Sequence, residues 1–276
     1  MNVLEVQGLT KRYPAFTLNG VSFDVPQGAV MGFIGRNGAG KSTTLKSILG
    51  MVHPDAGAVR VFGMDYAENE RAIRRELGVV LGEIDFYPKK KIKTITDVTR
   101  RFYNNWDEEK YRHYLELFHI DESKRVDQLS SGMKVKYMIA LALSHNARLL
   151  ILDEPTSGLD PVVRDEILTI FADFTRDEEH AVLLSSHIVS DLEKICDYIA
   201  FLHKGRLLLC EEKDRLTEAY GILRGGAEDI DPAAVCGRHT TPYGTEYLVR
   251  RDAVPAGMAL GQVNIEDLFV FMAKEV

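Results

Sequence analysis

The stretch that decides the fold runs from residue 35 to residue 44 and reads GRNGAGKSTT. It consists of Gly35, Arg36, Asn37, Gly38, Ala39, Gly40, Lys41, Ser42, Thr43 and Thr44. The part from Gly35 to Ser42 matches G-x-x-x-x-G-K-S, a loop pattern that surrounds phosphate with backbone N–H groups. The apolar run 29–34 before it predicts a buried strand, and residues 41–49 after it predict a helix. The sequence therefore predicts the strand, loop and helix order that this pattern requires.

Each part of this loop has a chemical reason. Glycine tolerates backbone conformations that other residues avoid, so Gly35, Gly38 and Gly40 allow a close approach to an anion. The positive end of the following helix dipole favours the same charge. We expect Lys41 to bind the β- and γ-phosphates of a nucleotide and the Ser42 hydroxyl to hold Mg²⁺. The alternative, a glycine-rich turn with a chance lysine, is disfavoured by the strand and helix predicted on either side.

Composition limits the remaining classes. A chain of 276 residues, 45% of them apolar, suits one large α/β domain or a domain with a small appendage. The formal net charge of −7 gives no overall footprint for nucleic acid. The strand-like N-terminus predicts no secretory signal, and no apolar run approaches the roughly 20 residues that span a bilayer.

The three cysteines have neither the close spacing of a disulfide pair nor that of a metal site. They are Cys196, Cys210 and Cys236, and such a sparse, odd count fits a reducing cytosol. Two of them lie in or beside apolar, strand-like segments, which predicts buried and unreactive thiols.

A second group of polar residues follows buried strands further along the chain. Asp153 and Glu154 come directly after the apolar run 149–152, and His187 follows the apolar run 181–185. The carboxyl ends of parallel strands meet at one edge of a sheet, where ligands bind. An aspartate holding Mg²⁺ is the expected partner of a phosphate loop. The alternatives are a pair of surface acids and a structural histidine; the shared sheet edge favours the functional interpretation.

Three other features leave two interpretations open. Tyr13 either packs in the turn before residues 16–26 or stacks on adenine. The lysine-rich loop at 89–93 is either a solvated surface or a surface that faces anionic lipid or a membrane partner. The terminal helix predicted by Ile265, Leu268, Phe269 and Met272 either closes the core of its own chain or docks a partner or a second copy.

Taken together, the motifs resemble those of the ATP-binding subunit of ABC transporters in order and spacing, over about residues 1–215. The matching set is Tyr13, residues 35–42, 129–133, 149–154 and 157–160, and His187. The likeness is greatest to ATPases of bacterial ABC-2-type exporters, and among these to subunits that export phenol-soluble-modulin-like peptides or confer peptide-antibiotic resistance.

This resemblance implies an α/β P-loop NTPase fold. We expect a mostly parallel central sheet, an antiparallel β subdomain and a helical subdomain at about residues 84–146. Residues 216–276 are then a small C-terminal extension that serves either dimerisation or regulation.

The resemblance also implies a mechanism. Two copies pair head to tail around two ATP molecules, and the signature of one copy meets the γ-phosphate held by the other. Glu154 polarises the attacking water, His187 contacts the γ-phosphate, and Asp153 helps Ser42 to hold Mg²⁺. Asp160 lies at the dimer seam. The signature residues are Ser130, Ser131, Gly132 and Met133.

The implied setting is the cytoplasmic face of the plasma membrane, where the chain powers a separate multi-span permease and binds no nucleic acid. The alternatives are an ABC protein that acts on DNA or the ribosome and an ATP-binding regulator without transport. The first is disfavoured because only about 90 residues separate Lys41 from Ser130, too few for a long coiled coil.

One position departs from the family pattern. The family has a glutamine after the strand that ends near Leu81, whereas this chain has Gly82 and Glu83. Glycine has no side chain that reaches Mg²⁺. Our hypothesis is that the Glu83 carboxylate takes over part of that role, because Mg²⁺ prefers oxygen ligands.

Overall fold

The computed structural model describes residues 1–82, 87–225, 230–242, 244–255 and 257–274. Glu83 lies outside the described residues. The strands, numbered from the N-terminus, are β1 Asn2–Tyr13, β2 Phe16–Pro26, β3 Val30–Ile34, β4 Ala56–Val61, β5 Met64–Asp65, β6 Leu77–Leu81, β7 Leu149–Asp153, β8 Ala181–Ser186, β9 Tyr198–His203, β10 Arg206–Glu212, β11 Tyr220–Arg224, β12 Val235–Thr241 and β13 Gly244–Arg250. The helices are α1 Lys41–Ile48, α2 Tyr66–Arg74, α3 Ile92–Thr99, α4 Glu108–Leu117, α5 Ser131–Leu143, α6 Pro161–Phe174, α7 Val189–Ile195, α8 Lys213–Ala219 and α9 Ile265–Lys274.

The central sheet has the strand order β10-β9-β3-β8-β7-β6. The pairings β9–β3, β3–β8, β8–β7 and β7–β6 are parallel, and β10 joins the edge antiparallel to β9. Every residue of β3, β7 and β8 is buried, which explains their continuous apolar sequences, since helices cover both faces of a parallel sheet. The prediction of a mostly parallel α/β sheet is confirmed.

A second sheet is antiparallel and has the order β2-β1-β4-β5. Its inward side chains share one apolar cluster with Leu45 and Ile48 of α1 and with Phe33 of the central sheet. Leu45, Ile48 and Phe33 are fully buried. Helix α1 is thereby fixed between the two sheets, and the loop that precedes it is fixed with it.

Three helices, α3, α4 and α5, lie between β6 and β7 in the chain and form the predicted helical region. A buried polar network joins them, because the Thr96 hydroxyl lies 2.7 Å from the Tyr111 hydroxyl and 2.9 Å from the Tyr137 hydroxyl. Tyr111 also donates a hydrogen bond of 3.0 Å to Glu122 Oε1. Burial raises the pKa of both phenols, so both stay protonated and available as donors.

The C-terminal extension contains a third sheet of order β11-β13-β12. This sheet was not predicted from the sequence. The predicted terminal helix is present as α9. Its residues Ile265, Leu268 and Phe271 are buried in the main apolar cluster, which confirms that the helix closes the core of its own chain. The Phe269 ring lies 5.2 Å from the Phe201 ring, centroid to centroid. The role of the extension and its boundary at residue 215 stay predictions.

All three cysteines lie in the described ranges, and no disulfide joins any of them within the described chain. Cys196 is buried, and its burial raises the pKa of the thiol far above the usual range. Burial raises the pKa of Cys210 to about 11. Both thiols are therefore protonated at neutral pH, as the prediction of unreactive thiols requires.

Candidate active site

The phosphate loop is a turn between β3 and α1. Gly38 and Gly40 adopt positive φ angles of 80° and 110°, a conformation that is strained for other residues. A side chain at Gly35 would place its Cβ 2.5 Å from the Leu202 carbonyl oxygen, and one at Gly40 would place it 2.7 Å from the Phe16 ring. Close packing against the backbone therefore requires glycine at position 35, and the left-handed backbone favours glycine at position 40.

The hairpin between β9 and β10 supports this loop from behind. The Gly205 N–H donates a hydrogen bond of 2.9 Å to the Ala39 carbonyl, and the Asn19 N–H donates one of 2.8 Å to the Gly205 carbonyl. A Cβ at Gly205 would lie 1.9 Å from the Thr17 carbonyl oxygen. Ala39 is buried, and the hydrogen bond from Gly205 gives its carbonyl group a partner.

The acidic pair lies at the carboxyl end of β7, as predicted. Asp153 is the last residue of that strand and accepts a hydrogen bond of 2.5 Å from the Ser185 hydroxyl. The Glu154 N–H lies 3.2 Å from the same hydroxyl, and Glu154 has a φ of 53°. This left-handed conformation turns the chain sharply after the strand. Ser185 was not predicted as a site residue, although it stands out in the sequence as a polar residue in the apolar run before His187.

Three predicted residues from three strand ends meet in one chain of contacts. The Lys41 ammonium donates to the Gly35 carbonyl at 2.7 Å and lies 3.1 Å from Glu154 Oε1. The other carboxylate oxygen, Oε2, accepts a hydrogen bond from His187 Nδ1. Lys41 is buried, so its charge is balanced at close range by Glu154. The parallel pairing of β3, β8 and β7 creates this meeting point.

Lys41, Glu154 and His187 line a cleft of about 630 Å³. Most of the predicted phosphate loop is present in the lining, but Gly35, Ala39 and Thr44 are not among the described lining residues. Thr44 is buried, and its hydroxyl donates to the Gly40 carbonyl at 3.0 Å, so it stabilises the first turn of α1. The lining consists of Ala15, Phe16, Arg36, Asn37, Gly38, Gly40, Lys41, Ser42, Thr43, Glu154, Ser157 and His187.

The aromatic residue in this lining is Phe16, which sequence reasoning missed. Tyr13 ends β1 and is 42% exposed, and the Lys11 ammonium lies 5.8 Å from its ring centroid. Tyr13 does not appear among the described residues of the lining. Stacking of adenine on Tyr13 stays a prediction. The signal for Phe16 was its position two residues after the Pro14 turn.

The signature residues lie at the start of α5, away from this cleft. Ser130 caps the helix, because its hydroxyl accepts a hydrogen bond of 3.2 Å from the Met133 N–H. Ser130 and Ser131 are exposed. Within the described chain, none of residues 130–133 lines the cleft. Asp160 is also exposed and caps α6 by accepting hydrogen bonds from Val162 and Val163.

The two predicted metal ligands in the described chain are Ser42, which lines the cleft, and Asp153, which is buried at the end of β7 and does not appear in the described lining. Hydroxyl and carboxylate oxygens are the donors that Mg²⁺ prefers, so this pair fits the ion in chemical type. The described residues contain no cluster of three or more His, Cys, Asp or Glu side chains that would form a metal cage.

Comparison with known proteins gives the family. The ABC transporter family model matches residues 18–157. The bacitracin transport ATP-binding protein BcrA of Enterococcus faecalis is 34% identical over 273 residues, covering 96% of this chain and 88% of that protein. The lantibiotic transport ATP-binding protein SrtF of Streptococcus pyogenes is 34% identical over 220 residues, covering 77% of this chain and 92% of that protein.

Solved structures agree with these matches. The structure of an ATP-binding subunit of an ABC transporter is 30% identical, with a TM-score of 0.71, and covers 78% of this chain and 92% of that chain. A dimeric ATP-binding cassette bound to ADP and phosphate is 19% identical with a TM-score of 0.67, which shows the common fold. In the described part of this chain, no helix is long and apolar enough to cross a membrane. The family match over half of the chain and a relative aligned along nearly all of it identify the protein as a member of the ABC transporter family, one of its ATP-hydrolysing subunits.

Proposed function

We propose that this ATPase powers the export of peptide antimicrobials through a separate membrane subunit. The observation that carries the catalytic part is the contact chain Lys41–Glu154–His187 beside the phosphate loop. The peptide cargo is supported by relatives named for bacitracin and lantibiotic transport. The alignment with BcrA of Enterococcus faecalis includes the C-terminal extension, since it covers 96% of this chain.

Glu154 is the general base in the proposed reaction. Its carboxylate takes a proton from the water that attacks the γ-phosphorus, while Lys41 and the loop N–H groups hold the β- and γ-phosphates. His187 orients that carboxylate through Nδ1 and contacts the γ-phosphate. Ser42 and Asp153 would hold Mg²⁺, which supplies neutralising charge to the phosphates when it is bound.

The exposed signature supports a head-to-tail pair. The cleft is lined by the phosphate loop, Glu154 and His187, while Ser130 and Ser131 face solvent at the N-terminus of α5. A helix N-terminus with an adjacent hydroxyl is a good phosphate ligand. The signature therefore acts on a nucleotide held by a second copy, with Asp160 at the seam between the copies.

A basic cleft of about 470 Å³ is the proposed docking surface for the membrane subunit. Four of its lining residues are arginines and one, Glu70, is acidic. Glu70 is already paired with Arg74 at 2.6 Å, and the exposed Phe102 adds an apolar contact. This chemistry fits an acidic cytoplasmic segment with an apolar residue. The chain is then held at the cytoplasmic face of the plasma membrane through its partner.

The first prediction concerns Glu154. Glu154→Gln keeps the size of the side chain but removes the base, so we expect kcat to fall by at least about 100-fold while ATP binding persists. Cells that express this variant together with the membrane subunit are also expected to lose tolerance to a bacitracin-type peptide. Phosphate release and growth at increasing peptide concentration measure the two effects.

The matched control is Glu178→Gln. Glu178 is exposed and shares the positive φ of Glu154, at 60° against 53°, but it lies outside the cleft lining. This control is expected to match the parent in both assays. Hydrolysis that survives Glu154→Gln contradicts the catalytic assignment, and full hydrolysis without peptide tolerance in the parent contradicts the proposed cargo.

The second prediction tests the signature in trans. In the Glu154→Gln background, ATP is expected to produce a dimer, which is measured as mass in solution. Adding Ser130→Asp keeps a good helix cap but places a negative charge against phosphate, so dimer formation is expected to weaken by about tenfold or more. ATP binding to the monomer is expected to persist.

Ser130→Asn is the neutral control, since asparagine is similar in size to aspartate and also caps helices. It is expected to dimerise far better than Ser130→Asp. Equal dimer formation by the two variants, or loss of ATP binding to the monomer, contradicts a role of Ser130 in trans.

The third prediction tests the basic cleft. Arg71→Glu and Arg101→Glu reverse two of its charges, and we expect each to weaken co-purification with the membrane subunit, because an acidic partner is then repelled. Arg176→Glu, at an exposed arginine outside this cleft, is the charge-matched control. Retention of the membrane subunit by both cleft variants at the control level rules out this docking surface.

A further inference from the structure

A buried carboxylate outside the cleft joins the two segments that carry the proposed catalytic residues. Asp191 lies on α7, four residues after His187, and is only 3% exposed. Its Oδ2 accepts a hydrogen bond of 2.7 Å from the hydroxyl of Thr156, which is 1% exposed. Thr156 lies two residues after Glu154, in the loop between β7 and α6.

Arg164 connects the same carboxylate to the far end of that loop. Its Nη1 lies 3.8 Å from Asp191 Oδ1, and its Nη2 donates to the Leu159 carbonyl at 3.4 Å. Leu159 immediately precedes Asp160, the residue predicted at the dimer seam. Both ends of the loop are therefore tied to Asp191, one through Thr156 and the other through Arg164.

A structural role alone explains this arrangement poorly. Burying a carboxylate is costly even when it is paired, and apolar residues of similar volume often stabilise a protein more. A second contact already holds α7 against α6, because Lys194 forms an ion pair with Asp165. The hydrogen bond between Thr156 and Asp191 is directional. It therefore restricts the position of the loop after Glu154, relative to the helix after His187, more than apolar packing does.

We propose that Asp191 and Thr156 are positioning residues that fix the Glu154 carboxylate relative to the His187 ring. This inference rests on the proposed roles of Glu154 and His187. Neither Asp191 nor Thr156 appears in the described lining of the cleft, so they act through the two catalytic groups and not on the nucleotide. Through Arg164, movement of the loop at Asp160 also changes the placement of His187 in the same copy.

The test begins with two substitutions of the hydrogen-bond donor, Thr156. Thr156→Val is nearly isosteric and removes the donor, so we expect kcat to fall by about tenfold or more, because small misplacements of catalytic groups have large effects. The KM for ATP is expected to change by less than about twofold, because the phosphate loop is untouched. Thr156→Ser keeps the hydroxyl and is expected to restore most of the parent kcat.

A triple variant separates positioning from stability. Thr156→Val leaves a buried acceptor without its donor, and this lowers stability by itself. Thr156→Val with Asp191→Leu and Arg164→Met replaces the donor, the carboxylate and its paired guanidinium by apolar groups, so no buried charge is left without its partner. Thermal stability is therefore expected to recover towards that of the parent while kcat stays low. Recovery of kcat together with stability overturns the proposal, because it shows a purely structural role.

The parent and Glu154→Gln complete the set of measurements. If the parent hydrolyses ATP, Glu154→Gln abolishes the activity and Thr156→Val matches the parent in kcat, the positioning role is wrong and the proposed function stands. If the parent does not hydrolyse Mg²⁺-ATP, or Glu154→Gln remains active, the catalytic assignment fails and this inference fails with it.

Discussion

The Glu154 carboxylate holds the candidate active site together, because it contacts both of the other predicted catalytic side chains. It lies between the Lys41 ammonium and the His187 ring, although these three residues are far apart in the sequence. Parallel pairing of β3, β8 and β7 brings their carboxyl ends to one edge. A shift of one residue in this register would turn the side chains of a strand to its other face, so the buried apolar runs that set the register also set the catalytic geometry.

A single chain supplies one part of the proposed reaction centre and offers another part elsewhere on its surface. The cleft contains the phosphate loop and the acid–histidine pair, whereas Ser130 and Ser131 are exposed on a different segment. In the proposed mechanism, this separation makes hydrolysis depend on a second copy, and an event at the proposed membrane partner is transmitted as a change in how the two copies meet. The Thr156–Asp191–Arg164 connection extends that logic inside each copy, from the loop at Asp160 to His187.

The sequence predicted the central sheet, the phosphate loop and the acid–histidine pair because local patterns decide them. A buried parallel strand has a continuous apolar run, and the residues at its end are visible directly. Ser185 and Phe16 were missed because their roles depend on what lies across a strand pair or a turn. Asp191 was missed for a similar reason. Its partner Thr156 lies 35 residues earlier in the chain, and no local pattern around Asp191 indicates that contact.

The C-terminal sheet escaped prediction for a different reason. Strand β12 carries polar residues such as Arg238, His239 and Thr240, and its pairing with β13 is set by tertiary contacts and not by a regular apolar alternation. Helix α9 was predicted correctly because its apolar residues repeat at helical spacing. Helix α9 packs against α7, and the Ile265 N–H donates a hydrogen bond of 2.7 Å to the side-chain carboxylate of Glu193. These contacts connect the extension to the helix that follows His187.

The most direct test of the central claim is an experimental structure of the Glu154→Gln variant with Mg²⁺-ATP. The account predicts two copies that enclose two nucleotides, each held by the phosphate loop of one copy. The partner's Ser130 hydroxyl is then expected within about 3 Å of the γ-phosphate oxygens. ATP held by a single copy with its signature still in solvent, or ATP bound away from residues 35–44, would contradict it.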